Sequence, residues 1–256
     1  MKNIVIANWK MNTTLRVGTK LFNLLRQRLG RQAEVEVVIC PPFTHLAKFD
    51  LKRSNLKLGA QNVASIDNGA LTGEVSAEML KDLKVEFVLL GHSERRQFLN
   101  EDEIGIINKF KLCEKYDLTP VLCIGENLKE RKNGQTLNVI FSQLREVLKE
   151  VSGDKTRLRS FLVAYEPIWS IGTGDVPTAE EIRNIANMVR EFLRDKEYSA
   201  RWPEGVRFLY GGSVTSKTAQ NFIRQENIDG FLVGGASLDL SEFIQIVKAC
   251  QQSYVS

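Results

Sequence analysis

The stretch SFLVAYEPIWSIGTGD, residues 160–175, decides how the whole chain is read. Phe161 to Tyr165 form an unbroken apolar run. A strand with one wet face would alternate; a run apolar at every position suits a strand buried on both faces, as in a parallel sheet covered by helices. The run ends in Glu166, meets Pro167, and passes into an apolar loop where Gly172 and Gly174 flank Thr173. Glu166 then has two readings. It is a surface carboxylate ahead of an ordinary turn, or it is a catalytic base beside a closing lid.

Similar runs recur on either side: NIVIAN (3–8), VEVVIC (35–40), LKLGAQN (56–62), VEFVLLG (85–91), LTPVLCIG (118–125), VRFLYGG (206–212) and IDGFLVGG (228–235). The intervening stretches carry helical spacing. Val17, Leu21, Leu24 and Leu25 make one apolar stripe, and Ile140, Leu144, Val147, Leu148 and Val151 another. Ile182, Ile185, Ala186, Val189 and Leu193 make a third, and Phe243, Ile246, Val247 and Cys250 the last. Thr178 and Glu181 form a capping box, so the third helix is expected to start near residue 178.

Strict alternation of strand and helix permits either a doubly wound open sheet or a closed (β/α)8 barrel. Eight units and 256 residues favour the barrel: eight parallel strands with surrounding helices. The open-sheet alternative predicts a G-x-G-x-x-G after the first strand. The residues there, NWKMNTT, contain no glycine. No linker or low-complexity segment interrupts the units, so residues 1–256 read as a single domain.

Composition narrows the function classes. The chain is 43% hydrophobic and 26% charged, with net charge +4 spread along its length. Its densest charge cluster, LKERK (128–132), contains a glutamate and reads as a solvated helix face, not a nucleic-acid patch. No apolar run reaches the roughly 18 residues of a membrane span. The N-terminal run lacks a cleavage site and reads as a strand, which leaves the cytoplasm as the expected location. Cys40, Cys113, Cys123 and Cys250 form no C-x-x-C pair and are expected as free thiols. Two histidines, His45 and His92, are too few for a His-rich metal site.

Chemistry collects at the strand ends, which a (β/α)8 barrel brings to one face. Asn8 and Lys10 end the first strand. Two residues apart on an extended segment, they would point the same way into the barrel mouth; alternatively Lys10 reaches solvent. His92 follows FVLLG and precedes SERR, so a helix N-terminus is expected to keep its ring neutral, although Glu94, Arg95 and Arg96 pull both ways. Gly-Gly pairs at 211–212 and 234–235, after the seventh and eighth strands, point to phosphate binding by backbone N–H groups. Glu126 is expected to begin the helix after the fifth strand. His45 is expected at the surface or as a cap, without a role, and Cys123 as a packed residue.

Taken together, NWKMN (8–12), GHSERR (91–96), AYEPIWSIGTG (164–174), YGGSV (210–214) and VGGASL (233–238) resemble the triosephosphate isomerase family, as do LGAQNV (58–63) and GALTGEVSAEML (69–80). The resemblance runs in order along essentially the whole chain. It implies a TIM barrel that interconverts dihydroxyacetone phosphate and D-glyceraldehyde 3-phosphate, in glycolysis and gluconeogenesis. Glu166 is implied as the base, His92 as the electrophile and Lys10 as the cation that holds substrate and stabilises an enediolate. Asn8, Gly172, Ser213, Gly234 and Gly235 are implied in substrate binding, with Glu94 and Ser93 supporting. No cofactor and no metal are implied. The implied partners are a phosphorylated triose and a second copy of the chain, in a homodimer or a tetramer, with Thr72 at the interface; neither nucleic acid nor membrane is expected. Ser170, Leu71 and Ala77 stand where the family often has Ala, Phe and Pro.

Two other readings stay open. A Schiff-base aldolase would use Lys10 as its nucleophile. A non-catalytic sugar-phosphate binder would have no need of a base at 166.

Overall fold

The computed structural model describes residues 2–151, 160–170, 175–194 and 205–252. All eight expected strands form: β1 (Ile4–Asn8), β2 (Glu36–Cys40), β3 (Leu56–Ala60), β4 (Val85–Leu90), β5 (Thr119–Ile124), β6 (Phe161–Tyr165), β7 (Val206–Tyr210) and β8 (Gly230–Val233). Each pairs in parallel with its neighbours in sequence, and β8 pairs with β1, closing the barrel.

Helices cover the outside. They are α1 (Leu15–Leu29), α2 (Phe43–Leu46), α3 (Ala77–Asp82), α4 (Ser93–Phe98), α5 (Glu103–Lys115), α6 (Leu128–Lys132), α7 (Thr136–Val151), α8 (Ala179–Leu193), α9 (Ser216–Ile223) and α10 (Leu240–Gln252). Three of the four expected stripes are the buried faces of α7, α8 and α10. In α1 the stripe is displaced. Val17 is exposed, and the buried face is Gly18, Phe22, Leu25 and Leu29, because Phe22 stacks on Phe49 and so sets the rotation of the helix. The expected box starts α8: Thr178 accepts from the Glu181 N–H, and the Glu181 carboxylate accepts from the Thr178 N–H.

Strand parity divides the core in two. Outward residues pack against the helices in one large cluster. Inward residues fill the barrel itself, among them Ile4 and Ile6 of β1, Leu162 and Ala164 of β6, Leu209 of β7 and Leu232 of β8. Because side chains alternate along a strand, this parity fixes what sits at each end of the barrel. One step toward the C-terminal end lie Asn8, Glu166, Gly211 and Gly234. One step toward the N-terminal end lie Glu36 and Arg207.

Those floor residues form a closed ion network. Glu36 pairs with Lys57 at 2.7 Å and Arg207 at 2.5 Å, and Lys57 also pairs with Glu86 at 2.9 Å. A cavity of about 800 Å³ opens beneath them, larger than the one at the other end, but Glu36, Lys57, Glu86 and Arg207 in its lining are already paired with one another. Among the described residues no helix is long and apolar enough to cross a membrane, and no group of three or more His, Cys, Asp or Glu is placed to hold a metal ion. All four cysteines are free thiols, and all are buried.

Candidate active site

At the C-terminal end of the barrel, a cavity of about 350 Å³ is lined by Asn8, Lys10, His92, Glu166, Ser213 and the glycines of the last two strand ends. Glu166 reaches it by continuing the inward parity of Leu162 and Ala164. Two glycines make room for it. A side chain at Gly125 would lie 1.8 Å from the Glu166 carbonyl oxygen, so β5 can approach the backbone of residue 166 only without one. At Gly211 a Cβ would press on Glu166 Cγ at 3.0 Å.

The Glu166 carboxylate is 2% exposed and, among the described residues, has two partners. One oxygen lies 3.0 Å from His92 Nε2, and the other accepts the Ser93 backbone N–H at 2.9 Å. Burial pushes this carboxyl upward, but the charge and hydrogen bond of His92 and the Ser93 N–H outweigh it and hold it below its ordinary 4.5.

His92 caps α4. Its Nδ1 accepts the Glu94 backbone N–H at 3.3 Å, which leaves Nε2 as the protonated nitrogen facing the cavity. The tautomer is the neutral one, but the pull on the ring departs from the sequence expectation. Burial and Lys10 favour the neutral form, but the Glu166 carboxylate, then Glu94, raise its pKa above 6.5. The sequence does not place Glu166 within 3.0 Å of the ring, and that contact decides the balance.

Lys10 also differs from expectation. It is not extended: its φ is +54°, a left-handed conformation that a side chain disfavours. Three contacts hold the turn. The Lys10 N–H donates to Asn8 Oδ1 at 3.1 Å, Gln61 Nε2 donates to the Lys10 carbonyl at 2.9 Å, and Asn12 Nδ2 donates to the Trp9 carbonyl at 2.7 Å. The ammonium still reaches the cavity and pairs with Glu94 at 2.6 Å. A lysine so paired is a poor amine nucleophile, which weighs against the Schiff-base reading.

Opposite these groups, the turn after β8 opens a short 3-10 helix, Gly235–Leu238, whose first N–H groups have no acceptor within the turn. Ser213, after β7, donates its hydroxyl to the Ser170 carbonyl at 2.7 Å. The cavity thus has a polar, charged half and a backbone-lined half suited to an anion. Gly172 lies outside the described residues. Thr72 is exposed on the loop between β3 and α3.

Two further sequence expectations are overturned. Glu126 does not begin a helix; Asn127 caps α6, and Glu126 is fully buried. It accepts Trp169 Nε1–H at 2.8 Å and the Tyr165 hydroxyl at 3.2 Å, and so fastens the turn that follows Glu166. Its partners come from the next strand unit, so its own neighbours in sequence gave no sign of them. His45 is buried, not superficial. It packs on Phe49 and lies 3.1 Å from the Thr13 hydroxyl, bracing the loop that carries Lys10. Gln61 is a third residue missed, though it lies in a stretch already noted, LGAQNV.

Comparison with known proteins adds an independent line. A family model described as triosephosphate isomerase matches residues 3–250. Curated relatives carry the same name. The protein of that name from Alkaliphilus metalliredigens (strain QYMF) is 44% identical over 249 residues, covering 96% of this chain and 99% of the relative. That from Moorella thermoacetica is 42% identical over 247 residues, at 96% and 97% coverage. That from Clostridium tetani is 40% identical over 249 residues, at 96% of both.

Proposed function

The chain belongs to the triosephosphate isomerase family, and from that premise we propose that it interconverts dihydroxyacetone phosphate and D-glyceraldehyde 3-phosphate by proton transfer through an enediolate. It is an isomerase acting on triose phosphates; the assignment of roles to residues is our reading. The observation that carries it is the convergence of Glu166, His92 and Lys10 on one cavity whose far wall is suited to an anion.

A C–H beside a carbonyl is a weak acid, so the base needs both strength and help. In the substrate-free state His92 and the Ser93 N–H keep Glu166 ionised. When Glu166 turns from them toward the substrate, burial is left unopposed and the carboxylate becomes a stronger base. The same movement removes the charge that raises His92. Burial and Lys10 then favour a neutral ring, whose Nε2–H can donate to the carbonyl oxygen. Lys10, oriented by Glu94 and the left-handed turn, stabilises the charge that develops there. Glu166 returns the proton to the neighbouring carbon. Asn8, Ser213, Gly234 and Gly235 hold the substrate, and Gly172 is assigned with them on the resemblance. Binding the inert phosphate supplies energy that can be used at the reacting carbons.

We take residues 1–256 as one catalytic domain and place it in the cytoplasm, a reading supported by four buried free thiols. A homodimer with Thr72 at its interface is supported by the exposed apolar residues Ile66 and Leu71 on the same loop. Sedimentation of a monomer at micromolar concentration would remove that assignment.

The activity test is a coupled isomerase assay on the wild type and on Glu166→Gln. The expected loss in kcat is on the order of 10³-fold or more, with KM changed only a few-fold. Undiminished turnover by the variant would remove Glu166 from the role of base.

A further inference from the structure

The cluster LKERK reads from sequence as a solvated helix face, yet Arg131 within it has two specific partners. Its guanidinium lies 3.9 Å from the centre of the Trp169 ring. It also donates to Glu181 Oε1 at 2.8 Å. Trp169 belongs to the 3-10 turn Ile168–Ser170, directly after Glu166 and Pro167. Glu181 belongs to the capping box that starts α8. These two partners flank residues 171–174, so one side chain on α6 touches both of the flanking stretches.

The connections continue inward. Trp169 donates to the buried Glu126 carboxylate, which also accepts from Tyr165, the residue before Glu166. The Ile168 N–H donates to the Glu126 carbonyl at 3.1 Å, and the Ser170 carbonyl at the end of the turn accepts the Ser213 hydroxyl. A planar guanidinium can stack on an indole and pair with a carboxylate at once, which a point charge cannot do equally well.

We infer that Arg131 is a positioning residue for the isomerisation: by stacking on Trp169 while paired to Glu181, it fixes the 168–170 turn against the start of α8, and through that turn sets Glu166 and Ser213. This rests on the role assigned to Glu166 above. Arg131 touches no reacting group. Its effect passes through backbone position, where displacements of an ångström are enough to slow a reaction about a hundredfold.

The test uses Arg131→Met, Arg131→Lys, Glu181→Gln and the Arg131→Met/Glu181→Gln double variant in the full chain. Two readouts are taken. The first is kcat and KM for dihydroxyacetone phosphate. The second is the indole N–H resonance of Trp169 without substrate, identified by its loss in Trp169→Phe. Arg131→Met is expected to lower kcat about 10-fold, with little change in KM, and to move the Trp169 resonance. Arg131→Lys, which keeps the charge but not the planar stack, should recover part of the loss. Glutamine at 181 can still complete the cap, so Glu181→Gln removes the ion pair while leaving the start of the helix intact. Its effect should vanish once Arg131 is already Met.

Wild-type kinetics with an unmoved resonance in Arg131→Met would overturn the inference, as would losses that simply multiply in the double variant. If Arg131→Met fails to fold, Arg131→Lys and Glu181→Gln decide by the same two readouts. Because the resonance is read without substrate, failure of the Glu166 assignment is separately visible as retained turnover in Glu166→Gln.

Discussion

The two ends of the barrel are built on the same inward-facing parity and use charge in opposite ways. At the floor, Glu36, Lys57, Glu86 and Arg207 neutralise one another directly. At the mouth, Lys10, His92 and Glu166 also pair, but their partners face a cavity and the Lys10 backbone is held in a disfavoured conformation. A charge network that closes on itself contributes to holding the fold. One that converges on a space large enough for a small molecule, at a cost in local strain, is arranged for a ligand. The larger cavity lies at the floor, so size alone would select the wrong end.

Mouth and floor should respond in opposite ways to loss of a cation. Lys10→Met should lower kcat/KM by about 10²–10³-fold, through both kcat and KM, while thermal stability stays close to wild type. A loss confined to stability would place Lys10 with the floor. Arg207→Met should do the reverse. It leaves Glu36 largely buried with one partner fewer, costing about 3 kcal/mol in denaturant unfolding, with kcat per folded molecule unchanged.

The smallest expected effect separates the two ends by pH. At the floor, burial raises the Glu36 carboxyl, but Arg207 and Lys57 outweigh it and hold it below 4.5; burial lowers Lys57, but Glu36 and Glu86 outweigh it and hold it above 10.5. The contribution of that network is therefore complete between 4.5 and 10.5, and is lost only as pH falls through the lowered value or rises through the raised one. At the mouth, Glu166 contributes fully above 4.5 and His92 fully below 6.5; the pair weakens as pH rises through the raised His92 value. Titration of the His92 ring by NMR should thus give a value above 6.5 in the ligand-free wild type and a lower one in Glu166→Gln, where burial has less to oppose it. No change between the two would mean that Glu166 does not set the state of His92.

Much of this contrast is legible in the sequence. Apolar runs, several of them nearly continuous like FLVAY, identify strands buried on both faces, and eight runs with helical stripes between them lead to the closed barrel. The strand ends then name Asn8, Lys10, His92 and Glu166 before any coordinate is known. What escapes is whatever depends on a partner brought in from another unit. Glu126 stands beside Asn127 and reads as a helix start, while its true partners, Tyr165 and Trp169, arrive from β6 and the turn beyond. His45 looks unremarkable until Thr13 and Phe49 are packed on it. The left-handed turn at Lys10 carries no glycine to announce it, because Asn8, Asn12 and Gln61 enforce it from outside. Arg131 is hidden for a similar reason: a basic residue among charges is an ordinary solvated face until Trp169 and Glu181 are seen on either side.

Glu166, as proposed, moves a proton through an enediolate. A proton carried on a carboxylic acid can exchange with solvent during turnover, whereas a hydride passed directly between carbons cannot. Isomerisation of dihydroxyacetone phosphate in D2O, with the aldehyde product read by NMR, tests this most directly. The wild type is expected to place deuterium at C2 of the product, and Glu166→Gln to show neither turnover nor exchange at a comparable rate. Product free of deuterium, or exchange in Glu166→Gln as fast as in the wild type, would contradict it.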